Sequence, residues 1–416
     1  MSLKPPPLRD DCFALPAGVD WTPVDVALAE LDARLHPVKA VENVALSVAV
    51  GRVLASDIKA LRSNPPLPNS AVDGYGFAFA ALGEGDQLLP LVKGRAAAGL
   101  RFEGRVPEGH AIRILTGAAL PDGVDTVILE EDVNASQQAV AFRAGVKPNA
   151  NTRKAGEDVV KGDICLQAGK RLGAADLALA AAVGHGVLPV YERLKVGVLS
   201  TGDEIVEPGQ AAQDGQIFDA NRVMLLSLLE QMGFDAVNLG LVRDDREVLR
   251  ARLNSAEVDV IITSGGASAG DEDHVSALLR DTGSLNEWRI AIKPGRPLAL
   301  GVWNGTPVFG LPGNPVAALV CLLVFARPAL GKLAGNGWLE PQGFSVPAGF
   351  SKRKKAGRRE YLRARMRQGR VEVFASEGSG RISGLSWAEG LVVLPDEAAD
   401  IAEGDAVTFL PFSSFI

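Results

Sequence analysis

The 416-residue chain is 47% apolar and 22% charged, with a net charge of −7; this is a globular composition, long enough to expect two to four domains. The acidic balance argues against a general binder of nucleic acid or of acidic membrane surfaces. Cys12, Cys165 and Cys321 are widely spaced and form no CxxC pair, which excludes a disulfide framework and a structural zinc site and fits a reducing cytoplasm.

The first residues, 1–11, are proline-rich and charged, unlike a signal peptide. Thr22-Pro23-Val24-Asp25 predicts a helix start with a capping-type acid at N3. Val26, Leu28, Leu31 and Leu35 give that helix an apolar face to about His36. The cluster Asn64-Pro65-Pro66-Leu67-Pro68-Asn69-Ser70 reads as a stiff connector and a domain boundary. In Ser70-Ala71-Val72-Asp73-Gly74-Tyr75-Gly76 the glycines allow close backbone approach around Asp73. Residues 88–92, 111–115, 126–130 and 140–142 predict short strands of a β-rich module that runs to about Lys161. Two polar loops interrupt it, Thr116-Gly117-Ala118 and Lys154-Ala155-Gly156-Glu157-Asp158. An alanine-rich helix, 174–183, follows.

Near Arg193 the pattern changes to alternating strands and helices. Strand 195–199 ends in Ser200-Thr201-Gly202-Asp203-Glu204, and Asp219-Ala220-Asn221-Arg222 caps a helix to Met232. Strand 237–242 ends in Arg243-Asp244-Asp245, and a helix follows from Arg246 to about Ser255. Val258-Asp259-Val260-Ile261-Ile262-Thr263 reads as a buried parallel strand. It breaks into Ser264-Gly265-Gly266-Ala267-Ser268-Ala269-Gly270, and Asp271-Glu272-Asp273-His274 then opens a helix. A glycine-rich loop at a helix start can turn backbone N–H groups toward an oxyanion. The carboxylates there call for a metal ion between themselves and such an anion. Trp288-Arg289-Ile290-Ala291-Ile292-Lys293 predicts one strand, with Arg289 and Lys293 on the same face, running into Pro294-Gly295-Arg296-Pro297. Strands 298–302 and 307–311 flank an Asn304-Gly305 turn. Asn314 and Pro315 suit N-cap and N1 of a buried helix whose apolar run, 316–326, is too short to cross a bilayer. The whole is a doubly wound α/β domain, in which ligands bind beyond the carboxyl ends of the strands. A β module closes the chain from about Gly343. Its basic first part places Arg363, Arg365 and Arg367 on one strand face, either solvated or phosphate-binding.

HExxH, Walker and dinucleotide GxGxxG sequences are all lacking, which removes the common metalloprotease and nucleotide-binding readings. His36, His110 and His185 read as structural or solvent-facing, and His274, beside Asp273, has a better claim to a role. What remains is carboxylates suited to Mg²⁺, a glycine/serine loop for phosphates, and cations for an oxyanion.

Six motifs occur together and in order: Asn69-Ser70-Ala71-Val72-Asp73-Gly74-Tyr75, Gly156-Glu157-Asp158, Ser200-Thr201-Gly202-Asp203-Glu204, Ser264-Gly265-Gly266, Ile292-Lys293-Pro294-Gly295 and Leu311-Pro312-Gly313-Asn314-Pro315. Through them the chain, from about Trp21, resembles the molybdopterin molybdenumtransferases, the molybdenum insertase family of bacterial MoeA and the C-terminal domain of gephyrin. The resemblance implies an α/β multidomain protein that forms an elongated homodimer. A helix at 21–40 would pack on a catalytic molybdopterin-binding domain, 193–340. A discontinuous linking domain (41–60 and 163–192) would carry an inserted β-rich domain (61–162), and a barrel-like β domain (341–416) would end the chain.

The resemblance also implies a cytoplasmic enzyme that inserts molybdate into adenylylated molybdopterin with Mg²⁺ and releases AMP. Its functional positions fall on Asp73, Thr116, Asp158, Glu204, Asp244, Asp273 and Lys293, with Glu204, Asp244 and Asp273 as metal ligands. Substrate contacts are expected from Ser200, Thr201, Gly202, Ser264, Gly265, Gly266, Ser268, Arg289, Lys293, Arg296, Pro312, Gly313, Asn314, Pro315, Arg358 and Ser379. Asp73 and Thr116 would act from the partner subunit, and other cofactor-biosynthesis proteins are expected partners. Arg289 departs from the lysine common in bacterial relatives, and Asp271-Glu272-Asp273-His274 departs from a Glu-Ala-Asp-Tyr pattern. A non-catalytic cofactor-binding scaffold and a pyrophosphatase on the same fold are the alternatives, and tungstate is not separated from molybdate.

Overall fold

The computed structural model describes residues 21–265, 274–281, 286–295 and 297–416. The chain forms two compact units, one of Tyr191–Ile416 with the segment up to Val41, the other of Glu42–Val190.

The first unit begins with α1 (Val24–Arg34), whose N-cap is Pro23 and which has no side-chain cap. Thr22 cannot turn back as a cap, because its backbone pairs with Ile290. Asp25 is likewise no capping acid; its carboxylate accepts both terminal nitrogens of Arg359, at 2.7 and 2.8 Å.

In chain order the α/β elements are β1 (Lys195–Thr201), α2 (Ala220–Gln231), β2 (Asp235–Val242), α3 (Arg246–Asn254), β3 (Val260–Ser264), α4 (His274–Asp281), β4 (Asn286–Arg289), β5 (Ile292–Lys293), β6 (Pro297–Trp303) and β7 (Thr306–Leu311). A long helix, α5 (Pro315–Leu333), follows. The sheet runs β2-β1-β3-β7-β6-β4, with β2, β1, β3 and β7 parallel and β6 antiparallel to both its neighbours. Period-two alternation splits the side chains between two helix layers. Val196, Val198, Val260 and Ile262 join Leu225 and Leu229 of α2 and the apolar residues of α5. Leu199 and Ile261 face Leu249 and Leu253 of α3 and Leu278 of α4. Because β2 and β3 lie on opposite sides of β1, the connections diverge between β1 and β3, which opens a crevice at their carboxyl ends.

Two sequence expectations need correction. The stretch 288–293 is not one strand. β4 ends at Arg289, Ile292 N–H turns back to the Ile290 carbonyl at 2.8 Å, and β5 joins a different sheet. Thr22 causes the break by bonding on both sides, its N–H to Arg289 O and its carbonyl to Ala291 N–H. Arg289 and Lys293 therefore share no strand face. The apolar helix also runs past Ala326 to Leu333, 19 residues that are long and apolar enough to cross a membrane, although 89% of the 18-residue span is buried inside the protein. Its middle, Leu322–Ala326, is a π-turn. Buried Arg327 continues it by donating to the carbonyls of Phe415, Leu339 and Ser414 at 2.6, 2.9 and 3.1 Å.

The C-terminal sheet takes β5 as an edge. With β8 (Phe344–Pro347), β9 (Arg359–Arg367), β10 (Arg370–Val373), β11 (Gly390–Leu394) and β12 (Ala406–Pro411), its order is β5-β9-β11-β12-β8, and β10 pairs with β9. Arg363, Arg365 and Arg367 do not form one open phosphate-binding face, and of the three only Arg367 is solvent-exposed. Arg365 pairs with Glu372 over the Trp387 ring, Arg367 pairs with Glu389, and buried Arg363 donates to backbone carbonyls.

In Glu42–Val190 a six-stranded sheet includes Gly74–Phe77, which lies between the edge strand Thr126–Leu129 and Ala111–Ile114. Its own core includes Phe77, Leu89 and Phe142. A separate core collects Ala49, Leu54, Ile58, Leu166, Leu172 and Leu188. The proline cluster lies within this unit, with Asn64 bridged to Val159 and Asn69-Ser70 paired with Thr152-Arg153.

Candidate active site

The crevice between β1 and β3 is built by backbone approach. Ser200 and Ser264 face each other in register, both buried, on the α2 side of the sheet. Beyond them Gly202 and Gly265 adopt φ of +143° and +92°. A Cβ at Gly265 would lie 2.7 Å from the Thr201 carbonyl oxygen, and one at Gly202 would lie 2.4 Å from Glu204 Oε2. Only glycine lets these loops close on each other. Gly265 N–H donates to Leu311 O at 3.2 Å, which brings the end of β7 alongside.

Buried Asn221, in the first turn of α2, fastens the arrangement. Its amide donates to Ser264 Oγ at 2.8 Å and to the Gly313 carbonyl at 2.7 Å. Gly313 and Asn314 are exposed where α5 starts; Asn314 sits at N-cap without a side-chain bond, and Pro315 is at N1. The positive ends of α2 and α5 thus flank the crevice.

Acidic residues line the neighbouring strand ends. Asp203 and Asp244 lock the loops after β1 and β2 together: Asp203 N–H donates to Asp244 Oδ2 at 3.3 Å, and Asp244 N–H to Asp203 Oδ1 at 3.2 Å. Exposed Glu204 folds over Gly202. Buried Arg222 holds Asp219 at 3.1 Å and Glu207 at 2.5 Å, anchoring the excursion between β1 and α2. Among the described residues, no three His, Cys, Asp or Glu side chains group as a metal site. Gly266, Ser268, Asp273 and Arg296 lie outside the described residues.

Lys293 ends β5, away from the α/β sheet. Its Nζ lies 2.6 Å from Glu377 and 3.6 Å from Glu360. Two residues on from Glu377, the Ser379 carbonyl accepts from Val316 N–H at 3.1 Å, so the loop 376–381 docks on the first turn of α5. Arg363 organises this loop through the carbonyls of Gly378 and Arg381. Arg358 sits half-buried in the turn before β9, and Arg289 is exposed at the end of β4. Cys321 is no nucleophile, since burial pushes its thiol up to about 12.

In Glu42–Val190, antiparallel pairing of Gly74 with Ile114 brings Asp73 to Thr116. The Asp73 carboxylate accepts from Thr116 Oγ1 at 2.6 Å and Thr116 N–H at 2.7 Å. The hydroxyl, then the backbone N–H, hold its carboxyl below the usual range. Asp158 is exposed and accepts from Asn64 Nδ2 at 3.0 Å.

Sequence reasoning did not single out Asp203, Asn221, Arg222 or Glu377, and it named Arg363 only as part of a basic strand face. Asp203 lay inside a quoted motif, and Asn221 and Arg222 inside a cap. Only the fold reveals what Arg363 and Glu377 touch.

Residues 22–184 match the family described as MoeA N-terminal region (domain I and II), residues 197–332 a probable molybdopterin binding domain, and residues 345–412 MoeA C-terminal region (domain IV). A molybdopterin molybdenumtransferase of Haemophilus influenzae is 38% identical, covering 90% of this chain and 95% of its own length. One from a Nostoc species is 32% identical, covering 89% and 88%. A crystal structure of a molybdopterin biosynthesis MoeA protein from Pyrococcus horikoshii superposes with a TM-score of 0.79 at 30% identity, covering 94% of this chain and 99% of that one.

Proposed function

Because this chain belongs to the MoeA family of molybdopterin molybdenumtransferases and is a transferase of molybdenum cofactor biosynthesis, we propose that it inserts molybdate into adenylylated molybdopterin in a Mg²⁺-dependent reaction that releases AMP. The observation that carries this reading is the crevice between β1 and β3, where two buried serines, two glycines at positive φ and two helix starts meet beside an acidic rim. A pyrophosphate suits such a place, because glycine lets it approach the backbone and the helix ends favour its charge.

Glu204 and Asp244 fit Mg²⁺. They are hard oxygen donors on adjacent strand ends, and neither is ion-paired among the described residues. Mg²⁺ commonly takes one or two carboxylates and completes its octahedron with water and phosphate oxygens; Asp273 is the third acid proposed for the set. Bound there, the ion would offset phosphate charge and polarise the anhydride. Asn221 keeps the Ser264 hydroxyl and the Gly313 loop at fixed separation around the substrate. Lys293 and Arg289 draw in molybdate by charge. Asp73, held ionised by Thr116, acts with Thr116 from the partner subunit of a homodimer with a shared cleft.

The test is to supply the purified protein with adenylylated molybdopterin, molybdate and Mg²⁺. AMP and active cofactor should appear in equal amounts. Absence of both defeats the reading, and cleavage of unrelated dinucleotides would make the protein a pyrophosphatase instead.

A further inference from the structure

The ammonium of Lys293 belongs to a ring of four charges. Besides its contacts to Glu377 and Glu360, Lys352 closes the ring by pairing with Glu377 Oε1 and lying 3.4 Å from Glu360 Oε2. The two carboxylates differ in setting. Glu360 is buried on β9, where its backbone is fixed opposite Lys293 and Leu394. Glu377 is exposed, on the loop that Arg363 and Val316 hold by its backbone alone. Its side chain can therefore leave without unfolding the loop.

Beside the ring lies a cavity lined by Lys293, Pro294, Tyr361, Arg363, Phe374 and Glu377, with about 20 Å³ of free space. That is room for about one water. The Glu377 carboxylate borders that space and takes up the two lysine contacts a bound oxyanion would need.

We infer that Glu377 is an internal competitor for the oxyanion site: its carboxylate occupies Lys293 and Lys352 and must swing out before a tetrahedral dianion can bind them. The inference rests on the proposed role of Lys293 toward molybdate. With Glu377 in place the ring balances two positive against two negative charges; without it, two lysines face Glu360 alone, with the Arg363 guanidinium nearby. Burial tends to raise the Glu377 carboxyl, but the hydrogen bonds from Lys293 and Lys352 outweigh it and hold it below the usual range, so the competitor is charged at neutral pH. Such an occupied state divides the intrinsic affinity of any anion by the same factor. The dissociation constants of weakly held anions then rise above their working concentrations, while a strongly held one still binds.

The test titrates molybdate alone, by calorimetry, into full-length wild type, Glu377→Gln, Glu377→Ala and Lys293→Met, with melting curves to verify folding. The alanine variant guards against an amide that rebuilds the lysine contact. The expected result is molybdate bound at least tenfold tighter by Glu377→Ala, with Glu377→Gln between it and wild type, and weakened binding in Lys293→Met. If Lys293→Met weakens binding while both Glu377 variants match wild type or fall below it, the competitor is overturned and the role of Lys293 stands. If Lys293→Met binds as well as wild type, the role of Lys293 falls, and the competitor with it.

Discussion

Replacing Asn221 by alanine removes the fastening between β3 and the start of α5. Two hydrogen bonds are lost, at 2.8 and 2.7 Å, each worth about 1 kcal/mol net. The Ser264 hydroxyl is left buried without its donor, a further penalty of about 1–3 kcal/mol, whereas the exposed Gly313 carbonyl can take water instead. Against this, Asn221 Oδ1 is itself buried without a partner, and deleting it returns about 1 kcal/mol. The balance is a destabilisation of about 2–4 kcal/mol, confined to one unit. Urea unfolding followed by tryptophan fluorescence isolates that unit, because Trp21, Trp288, Trp303, Trp338 and Trp387 all fall outside Glu42–Val190. Since Ser264 and Gly313 border the crevice, kcat/KM should fall about tenfold, equivalent to about 1.4 kcal/mol of transition-state stabilisation. Asn221→Asp, of the same size, should be worse than alanine, because it sets a carboxylate against the Gly313 carbonyl. A loss below about 0.5 kcal/mol with unchanged kcat/KM would refute the fastening.

Two further changes act in Glu42–Val190. At Gly74 an added Cβ would lie 1.9 Å from the Ile128 carbonyl oxygen, so Gly74→Ala should destabilise this unit by about 3 kcal/mol or more; limited proteolysis should cut it there while the tryptophan-detected transition stays in place. Thr116→Val should let the Asp73 carboxyl climb toward its ordinary range, as read by carboxyl carbon NMR. Thr116 bonds the ionised form, so its stabilisation is complete above the unfolded carboxyl pKa and is lost as pH falls through the lowered folded value. An unmoved titration would contradict the assignment.

The α/β half was legible because its signals are local. Val260–Ser264 follows from a β-branched run, α2 from the cap Asp219, and the hairpin from Asn304-Gly305, both at positive φ. Contacts made across long sequence separations were not legible. Thr22 splits the run 288–293 from more than 260 positions away. Gly74–Phe77 carries no strand signal, because glycine weakens strand propensity, yet this strand needs glycine for the approach of the Ile128 backbone. The apolar run ends at Ala326, but three carbonyls from the chain's later segments accept from Arg327 and carry the helix through. The glycine and serine positions of the crevice showed in the sequence as motifs. The Asp203–Asp244 lock, the Asn221 bridge and the Glu377 contact to Lys293 did not, since their partners are set by topology alone.

The central claim is that carboxylates at the ends of β1 and β2 hold Mg²⁺ against the substrate's anhydride. The most direct measurement is the Mg²⁺ concentration for half-maximal AMP release in wild type and in Asp244→Asn, with Asp244→Ala as a second variant in which the asparagine amide cannot substitute. The account predicts that both variants need at least tenfold more Mg²⁺. Equal Mg²⁺ requirements in all three proteins would contradict it.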